Sequence, residues 1–153
     1  MNITIIGTGY VGLVSGTCFS EFGFNVTCID KDKINNLQNG IIPIYEPSLE
    51  DLVKKNMIAK RLSFSTSLSK VFKDSDAIFI AVGTPTNVNN NKADLKYIYN
   101  VIREIADLMD INDNPKLIVT TTPRPVKMVT DLLKRRDKDV YVTTGTTFDN
   151  KKH

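Results

Sequence analysis

The sequence predicts an α/β fold, a doubly wound parallel sheet of six strands in the order 3-2-1-4-5-6 with helices on both faces. Two observations predict it. Short apolar segments alternate with amphipathic helical patterns along residues 1–143, and the first 30 residues contain a strand, a glycine-rich loop, a helix and a second strand in that order. Such alternation is typical of βαβ units and therefore of a parallel sheet.

Length and composition indicate one globular domain. The chain has 153 residues, of which 41% are hydrophobic and 24% are charged. The longest apolar run, 77–82, is too short to cross a bilayer, and no basic segment precedes a long hydrophobic one at the N-terminus. We therefore expect a cytoplasmic protein without a membrane partner.

The two cysteines are expected to act as small buried hydrophobic residues. Cys18 falls on the first predicted helix and Cys28 on the second strand, both at positions expected to face the core. The alternative is a disulfide or a nucleophile. The sequence places no His or Lys beside either residue to activate a thiol, which favours the structural interpretation.

The net charge of +3 comes from the C-terminal part of the chain. Residues 1–123 have a net charge of −1, whereas residues 124–153 have +4, with four basic residues between 134 and 138. This cluster is either a nucleic-acid contact or the solvated end of a helix, where cations interact favourably with the helix dipole. It lacks interleaved aromatic residues, so we expect the helix end and no nucleic-acid partner.

The loop after the first strand has the spacing G-x-G-x-x-G. It consists of Gly7, Thr8, Gly9, Tyr10, Val11 and Gly12. In this pattern Gly7 permits a tight turn, Gly9 leaves room for a pyrophosphate, and Gly12 lets the helix pack close to the strand. The helix N-terminus adds unpaired N–H groups and the positive end of the helix dipole. The loop therefore predicts a Rossmann-type dinucleotide site.

Asp30 ends the second strand, 18 residues after Gly12. A carboxylate there can accept hydrogen bonds from both hydroxyls of an adenosine ribose, and its charge disfavours the 2′-phosphate of NADP. Lys31 and Lys33 weaken this preference without removing it. We therefore expect NAD as the cofactor. The alternative, a tight turn with a helix-capping Asp, does not explain the order of strand, loop, helix, strand and acid.

The next segments connect the second strand to the third. Residues 33–39 predict a short helix, and two prolines in 41–47 impose an extended connection. We expect Glu46 to hold this connection rather than to contact a ligand. Ser48 is expected to cap a helix that runs to about Lys55.

A short edge strand is predicted around 62–65, and a helical turn at 67–72. The continuous apolar run 77–82 is typical of a strand buried on both faces. It is followed by Gly83, Thr84, Pro85 and Thr86. Ligands of open parallel sheets gather beyond such carboxyl ends, so this loop is the second candidate contact with a cofactor. An ordinary turn is the alternative.

The second half of the chain continues the alternation. After a polar loop at 87–92, Asp94 is expected to cap a helix with one buried face, formed by Leu95, Ile98, Val101, Ile102, Ile105, Leu108 and Met109. A buried strand at 117–119, a helix at 126–135 and a final strand at 140–142 follow. Residues 144–153 are expected to form a disordered polar tail outside the domain.

Together these motifs resemble the N-terminal, NAD-binding domain of the UDP-glucose/GDP-mannose 6-dehydrogenases, most closely the UDP-glucose enzymes. The resemblance covers about residues 1–120. It rests on I-I-G-T-G-Y-V-G-L at 5–13, C-I-D at 28–30, P-I-Y-E-P at 43–47, I-A-V-G-T-P-T at 80–86 and A-D-L at 93–95.

The enzymes of that family use NAD in two oxidations that convert the C6 hydroxyl of a nucleotide sugar to a carboxylate, through a thioester on a cysteine. The resemblance implies that Tyr10 and Val11 offer backbone N–H groups to the pyrophosphate and that Asp30 holds the adenosine ribose. Thr84 and its neighbours would flank the cofactor. Lys33 matches a basic residue near the adenosine if two residues are missing after Asp30.

The C-terminal part departs from the family. At 121–125 the family's K-S-T-V-P is replaced by T-T-P-R-P, so Thr122 alone stands in for the hydroxyl residue near the nicotinamide. At 144–149 T-G-T-T-F-D replaces the family's N-P-E-F-L, which carries an active-site glutamate. The family's substrate domain and catalytic cysteine motif lie beyond His153.

The resemblance therefore implies a truncated domain with no catalytic residue and no metal site. Such a domain is expected to be inactive alone, its catalytic half missing or separately encoded. A non-catalytic remnant and a stand-alone nucleotide-sensing module are the alternatives.

Overall fold

The computed structural model describes residues 1–31, 33–39, 41–42, 44–86, 88, 91–109 and 114–121, together with the backbone of 140–144. These residues form six strands and four helices. In chain order they are β1 (Asn2–Ile6), α1 (Tyr10–Glu21), β2 (Asn25–Ile29), α2 (Ile34–Gln38), α3 (Leu49–Ile58), β3 (Leu62–Ser65), β4 (Ala77–Ile80), α4 (Lys96–Leu108), β5 (Lys116–Thr120) and β6 (Val140–Thr144).

The six strands form one parallel sheet in the order β3-β2-β1-β4-β5-β6, which confirms the predicted fold class and strand order. β1 lies between β2 and β4, so the direction of winding reverses beside it. Ile6, the last residue of β1, is paired with Ile29 of β2 and Ile80 of β4. The loops that follow these three strands therefore leave the sheet at one edge, where open α/β sheets bind ligands.

Hydrophobic side chains cover both faces of the sheet. Because side chains alternate along a strand, Ile3 and Ile5 of β1 pack on one face and Ile6 on the other. The first face is covered by α1, α2 and α3, and the second by α4 and the turn around Phe72. Burial of the α4 stripe agrees with its predicted period, since Ile98, Ile102 and Ile105 are buried.

Two helix starts differ from the sequence prediction. Ser48 occupies the N-cap position of α3 but has φ 66°, and its side chain makes no capping hydrogen bond; α3 also continues past Lys55 to Ile58. At α4 the N-cap position is Leu95, and Asp94 Oδ1 accepts a hydrogen bond from the Lys96 N–H at 2.9 Å. Asp94 therefore accepts a hydrogen bond from the first turn of α4 while it occupies the position before the N-cap.

The prediction for Cys18 is wrong, because its side chain is exposed, whereas Cys28 is buried as predicted. The buried face of α1 consists mainly of small residues, Gly12, Gly16, Thr17 and Ser20, together with Leu13. The hydroxyls of Thr17 and Ser20 donate to carbonyls within the helix, so they are buried without an unpaired donor. Close packing favours these residues over larger apolar ones on the buried face of α1. Cys18 lies outside that face.

The prediction of a buried strand at 117–119 is correct for the strand and wrong for Leu117, which is 38% exposed. Its neighbour Lys116 is only 2% exposed. The Lys116 Nζ donates to the carbonyl oxygens of Lys73 and Ser75, both at 2.9 Å, and lies 5.1 Å from the Phe72 ring centroid. These two acceptors and the ring offset part of the cost of burying the ammonium group.

Several predictions concern residues outside the described part of the chain. They include the helix at 126–135, the basic cluster at 134–138, half of the polar loop at 87–92 and the predicted tail at 144–153 apart from Thr144, the last residue of β6. Within the described residues, none of the helices combines the length and apolar character that a membrane crossing requires.

Candidate functional site

The glycine-rich loop starts between the ends of β2 and β4. Gly7 has φ +103°, a conformation that glycine adopts without strain, and its N–H donates to the Ile29 carbonyl at 2.8 Å. A Cβ at Gly7 would lie 2.6 Å from the carbonyl oxygen of Ala81. The loop therefore begins in close contact with both neighbouring strands, at the point where the strand order reverses.

The N-terminus of α1 is open to solvent. Apart from Gly9 itself, its two chain neighbours and the backbone of α1, no atom of the described residues lies within 4 Å of the position that a Cβ at Gly9 would take. Gly9 is the N-cap, and Tyr10 and Val11 are the first residues of the helix, with 55% and 53% of their surface exposed. The first turn contains only uncharged residues. This open helix N-terminus, at the positive end of the helix dipole, fits a phosphate group.

Gly12 brings α1 against the loop that precedes it. A Cβ there would lie 1.9 Å from the Gly7 carbonyl oxygen and 3.2 Å from the Cβ of Ala81. No side chain larger than hydrogen fits that space. The spacing of Gly7, Gly9 and Gly12 thus has the geometry expected from the sequence, with a turn, an open approach and a close helix contact.

Asp30 faces the glycine-rich loop. Its Oδ2 accepts hydrogen bonds from the Thr8 N–H at 3.1 Å and the Thr8 hydroxyl at 2.6 Å. Its Oδ1 accepts one from the Lys33 N–H at 3.3 Å. The carboxylate and the open position at Gly9 are therefore joined by one residue, Thr8. Lys33 itself is the N-cap of α2, and its side chain is exposed.

The loop after β4 lies beside the glycine-rich loop at its start and turns towards α4 at its end. The Ala81 N–H donates to the Ile6 carbonyl at 2.8 Å. Further along, Thr86 forms an antiparallel bridge with Ala93, and the Asp94 N–H donates to the Pro85 carbonyl at 2.7 Å. Gly83 is exposed and Thr84 is half-buried between these two fixed ends.

The hydroxyl residue expected near the nicotinamide, Thr122, lies outside the described residues. Its neighbour Thr121 donates its N–H and its hydroxyl to the Ile80 carbonyl, at 3.3 and 3.2 Å. Sequence reasoning passed over this contact, which joins the ends of β4 and β5 at the edge that carries the other candidate residues.

Glu46 holds the 41–47 connection against the glycine-rich loop, in agreement with its expected role. The Tyr10 hydroxyl donates to Glu46 Oε2 at 2.5 Å. This hydrogen bond, together with the carboxylate charge, raises the pKa of Tyr10 above its ordinary value of 10.0. Sequence reasoning missed the side chain of Tyr10, because nothing in the local pattern points to a partner 36 residues away.

We expect Glu46→Gln to lower the pKa of Tyr10 towards its ordinary value. The neutral amide removes the negative charge that opposes formation of the phenolate. Because the folded-state pKa is raised, the Tyr10–Glu46 contact contributes stability below about pH 10 and loses it as the pH rises through the pKa of the folded state. Ultraviolet titration of tyrosinate measures the shift, with Tyr10→Phe identifying the signal among the five tyrosines. An unchanged Tyr10 titration in Glu46→Gln would contradict the assignment.

The chain is similar to one protein family over nearly its whole length. The model of the "UDP-glucose/GDP-mannose dehydrogenase family, NAD binding domain" matches residues 1–149. Among curated proteins, the UDP-glucose 6-dehydrogenase TuaD of Bacillus subtilis is 44% identical over 144 residues, which cover 91% of this chain and 30% of that protein. The UDP-glucose 6-dehydrogenase of Rhizobium meliloti is 53% identical over 108 residues, 69% of this chain and 25% of that protein.

Solved structures agree in fold. A ternary complex of GDP-mannose dehydrogenase from Pseudomonas aeruginosa superposes with a TM-score of 0.85 at 37% identity, covering 94% of this chain and 35% of that one. A UDP-glucose dehydrogenase from Pyrobaculum islandicum superposes with a TM-score of 0.80 at 28% identity, covering 94% and 34%. This chain therefore spans about a third or less of the length of each of these four proteins.

Proposed function

Because the chain belongs to the UDP-glucose/GDP-mannose dehydrogenase family, whose NAD-binding domain it forms, we propose that it binds NAD across the ends of β1, β2 and β4. The observation that carries this proposal is the proximity of the open N-terminus of α1 to the Asp30 carboxylate. Asp30 lies within hydrogen-bond distance of Thr8, the residue immediately before the opening at Gly9.

The residues present fit a dinucleotide. The space above Gly9 would be filled by any side chain, and the N–H groups of Tyr10 and Val11 would hold the pyrophosphate there. The Asp30 carboxylate would accept hydrogen bonds from the adenosine ribose, with Lys33 nearby. Residues 83–86 and Thr122 would flank the remainder of the cofactor. NAD, when bound, supplies a hydride acceptor.

The proposal extends to the whole protein of which this domain is part. The relatives named UDP-glucose 6-dehydrogenase are 3–4 times longer than the aligned region, so substrate binding and covalent catalysis would belong to a further, catalytic half. Its substrate would be a nucleotide sugar of the UDP-glucose type. Both cysteines are free thiols, as expected for a reducing compartment, and we place the protein in the cytoplasm.

We expect Asp30→Ala to weaken NAD binding about tenfold or more, a loss of about 1.4 kcal/mol or more. The same change should reduce the preference for NAD over NADP, because the charge that repels a 2′-phosphate is gone. Isothermal titration calorimetry with both cofactors measures each constant.

The matched control is Asp74→Ala. Asp74 is exposed and precedes β4, at the opposite edge of the sheet, so the substitution removes an equal charge far from the site. It should leave NAD binding unchanged. Equal NAD binding by the wild type and Asp30→Ala would contradict the proposed site, and no NAD binding by the wild type would favour a non-catalytic remnant.

A further inference from the structure

Thr8 lies in the middle of the glycine-rich loop, yet its side chain is fully buried. The sequence pattern places it among the residues that contact the cofactor. Its hydroxyl points instead to Asp30, at 2.6 Å from Oδ2, which is within the range of strong hydrogen bonds to a carboxylate. The buried side chain is thus directed at the acid.

The protein holds both oxygens of the Asp30 carboxylate. Thr8 donates twice to Oδ2, through its N–H at 3.1 Å and its hydroxyl, and the Lys33 N–H donates to Oδ1 at 3.3 Å. The terminal torsion of an Asp side chain has a broad energy profile, so the carboxylate plane takes its orientation from its donors. The hydroxyl of Thr8 makes the shortest of these three contacts.

We propose that Thr8 is a positioning residue: its hydroxyl orients the Asp30 carboxylate towards the adenosine ribose and thereby sets the preference for NAD over NADP. The inference rests on the proposed function. A carboxylate already held in one orientation loses less conformational entropy when it binds the two ribose hydroxyls than a mobile one. The same fixed charge cannot turn away from a 2′-phosphate, so discrimination is greater than for a mobile side chain.

The experiment compares Thr8→Val, which keeps the volume and removes the hydroxyl, with Thr8→Ser, which keeps the hydroxyl. The probes are ADP, 2′-deoxy-ADP, NAD and NADP, each titrated by calorimetry into the 153-residue chain. We expect Thr8→Val to weaken ADP about tenfold, corresponding to about 1.4 kcal/mol. The ratio of ADP to 2′-deoxy-ADP affinity and that of NAD to NADP should both fall towards one. Thr8→Ser should retain both ratios.

A purely structural role for Thr8 would lower the affinity for all four probes together and leave the two ratios unchanged, which would overturn the proposal. Thr8→Ala removes the hydroxyl without adding bulk and measures the same ratios should Thr8→Val fold poorly. In the Asp30→Ala background, Thr8→Val should have no further effect on ADP binding. A full further loss there would show that Thr8 acts other than through Asp30, and would also overturn the proposal.

The outcomes separate this inference from the function on which it rests. If Asp30→Ala weakens NAD binding and Thr8→Val keeps the wild-type ratios of ADP to 2′-deoxy-ADP and of NAD to NADP affinity, only the role of Thr8 is overturned. If the wild type binds neither ADP nor NAD, the proposed function falls and the role of Thr8 with it.

Discussion

Gly12→Ala is expected to destabilise the fold by about 3 kcal/mol or more, at the upper end for a single added methyl group. The new Cβ would lie 1.9 Å from the Gly7 carbonyl oxygen, and that contact is with backbone rather than with a movable side chain. Gly7 cannot move away easily, because its N–H donates a hydrogen bond to the Ile29 carbonyl and the Ala81 backbone lies close on the other side. α1 would have to move off the sheet, exposing the buried Leu13. Urea denaturation measures the loss.

Gly9→Ala is the matched control, with the same added methyl group three residues away. Beyond its chain neighbours and the backbone of α1, no described atom lies within 4 Å of the new Cβ, and the backbone at Gly9, with φ −69° and ψ −175°, accepts any residue. Stability should change by about 1 kcal/mol or less, the usual size of an N-cap effect. NAD binding should be lost, because the methyl group occupies the approach proposed for the pyrophosphate. Wild-type stability in Gly12→Ala would contradict the close contact between α1 and the loop.

Lys116→Met should cost about 3 kcal/mol of unfolding free energy, because a buried and a part-buried carbonyl group lose their donor. Methionine has a similar length and keeps most of the packing against Phe72. It cannot donate to the carbonyl oxygens of Lys73 and Ser75, which the Lys116 ammonium reaches at 2.9 Å. Thermal and urea unfolding should both show the loss.

Lys73→Met provides the control for Lys116. The Lys73 side chain is exposed, and only its backbone carbonyl takes part in the contact. The same change of side chain should therefore alter stability by less than about 0.5 kcal/mol, as is usual at surface positions. Equal losses in the two variants would mean that the buried ammonium makes no special contribution.

The strand order and the glycine geometry were accessible from the sequence because both depend on local pattern. Apolar runs of strand length, separated by helical periods, permit few topologies once right-handed parallel connections are required. The structural roles of Gly7, Gly9 and Gly12 depend on their lack of a side chain, and the sequence itself shows which residues lack one. The same holds for Asp30, whose place at the tip of β2 is set by counting from the loop.

The partners of individual side chains depended on tertiary structure. Thr8 and Asp30 are 22 residues apart, Tyr10 and Glu46 are 36 apart, and Lys116 reaches carbonyls 41 and 43 residues away. Each pair meets only after the strands have paired in register, and no local pattern records it. For this reason the sequence did not predict these contacts, and it wrongly predicted that Cys18 would be buried and Leu117 covered.

The glycine-rich loop and Asp30 predicted the cofactor, and periodicity predicted the parallel sheet, because periodicity reports which residues are apolar on average along one face. It does not report how close two elements approach or where a donor finds its acceptor. At α1 the close approach favoured glycine, threonine and serine on the buried face. At β5 the proximity of two carbonyl groups allowed a lysine to be buried while the adjacent leucine stayed partly in solvent. Which side chains of α1 and β5 are buried is therefore determined by packing distance and hydrogen-bond geometry, which arise only in the folded chain.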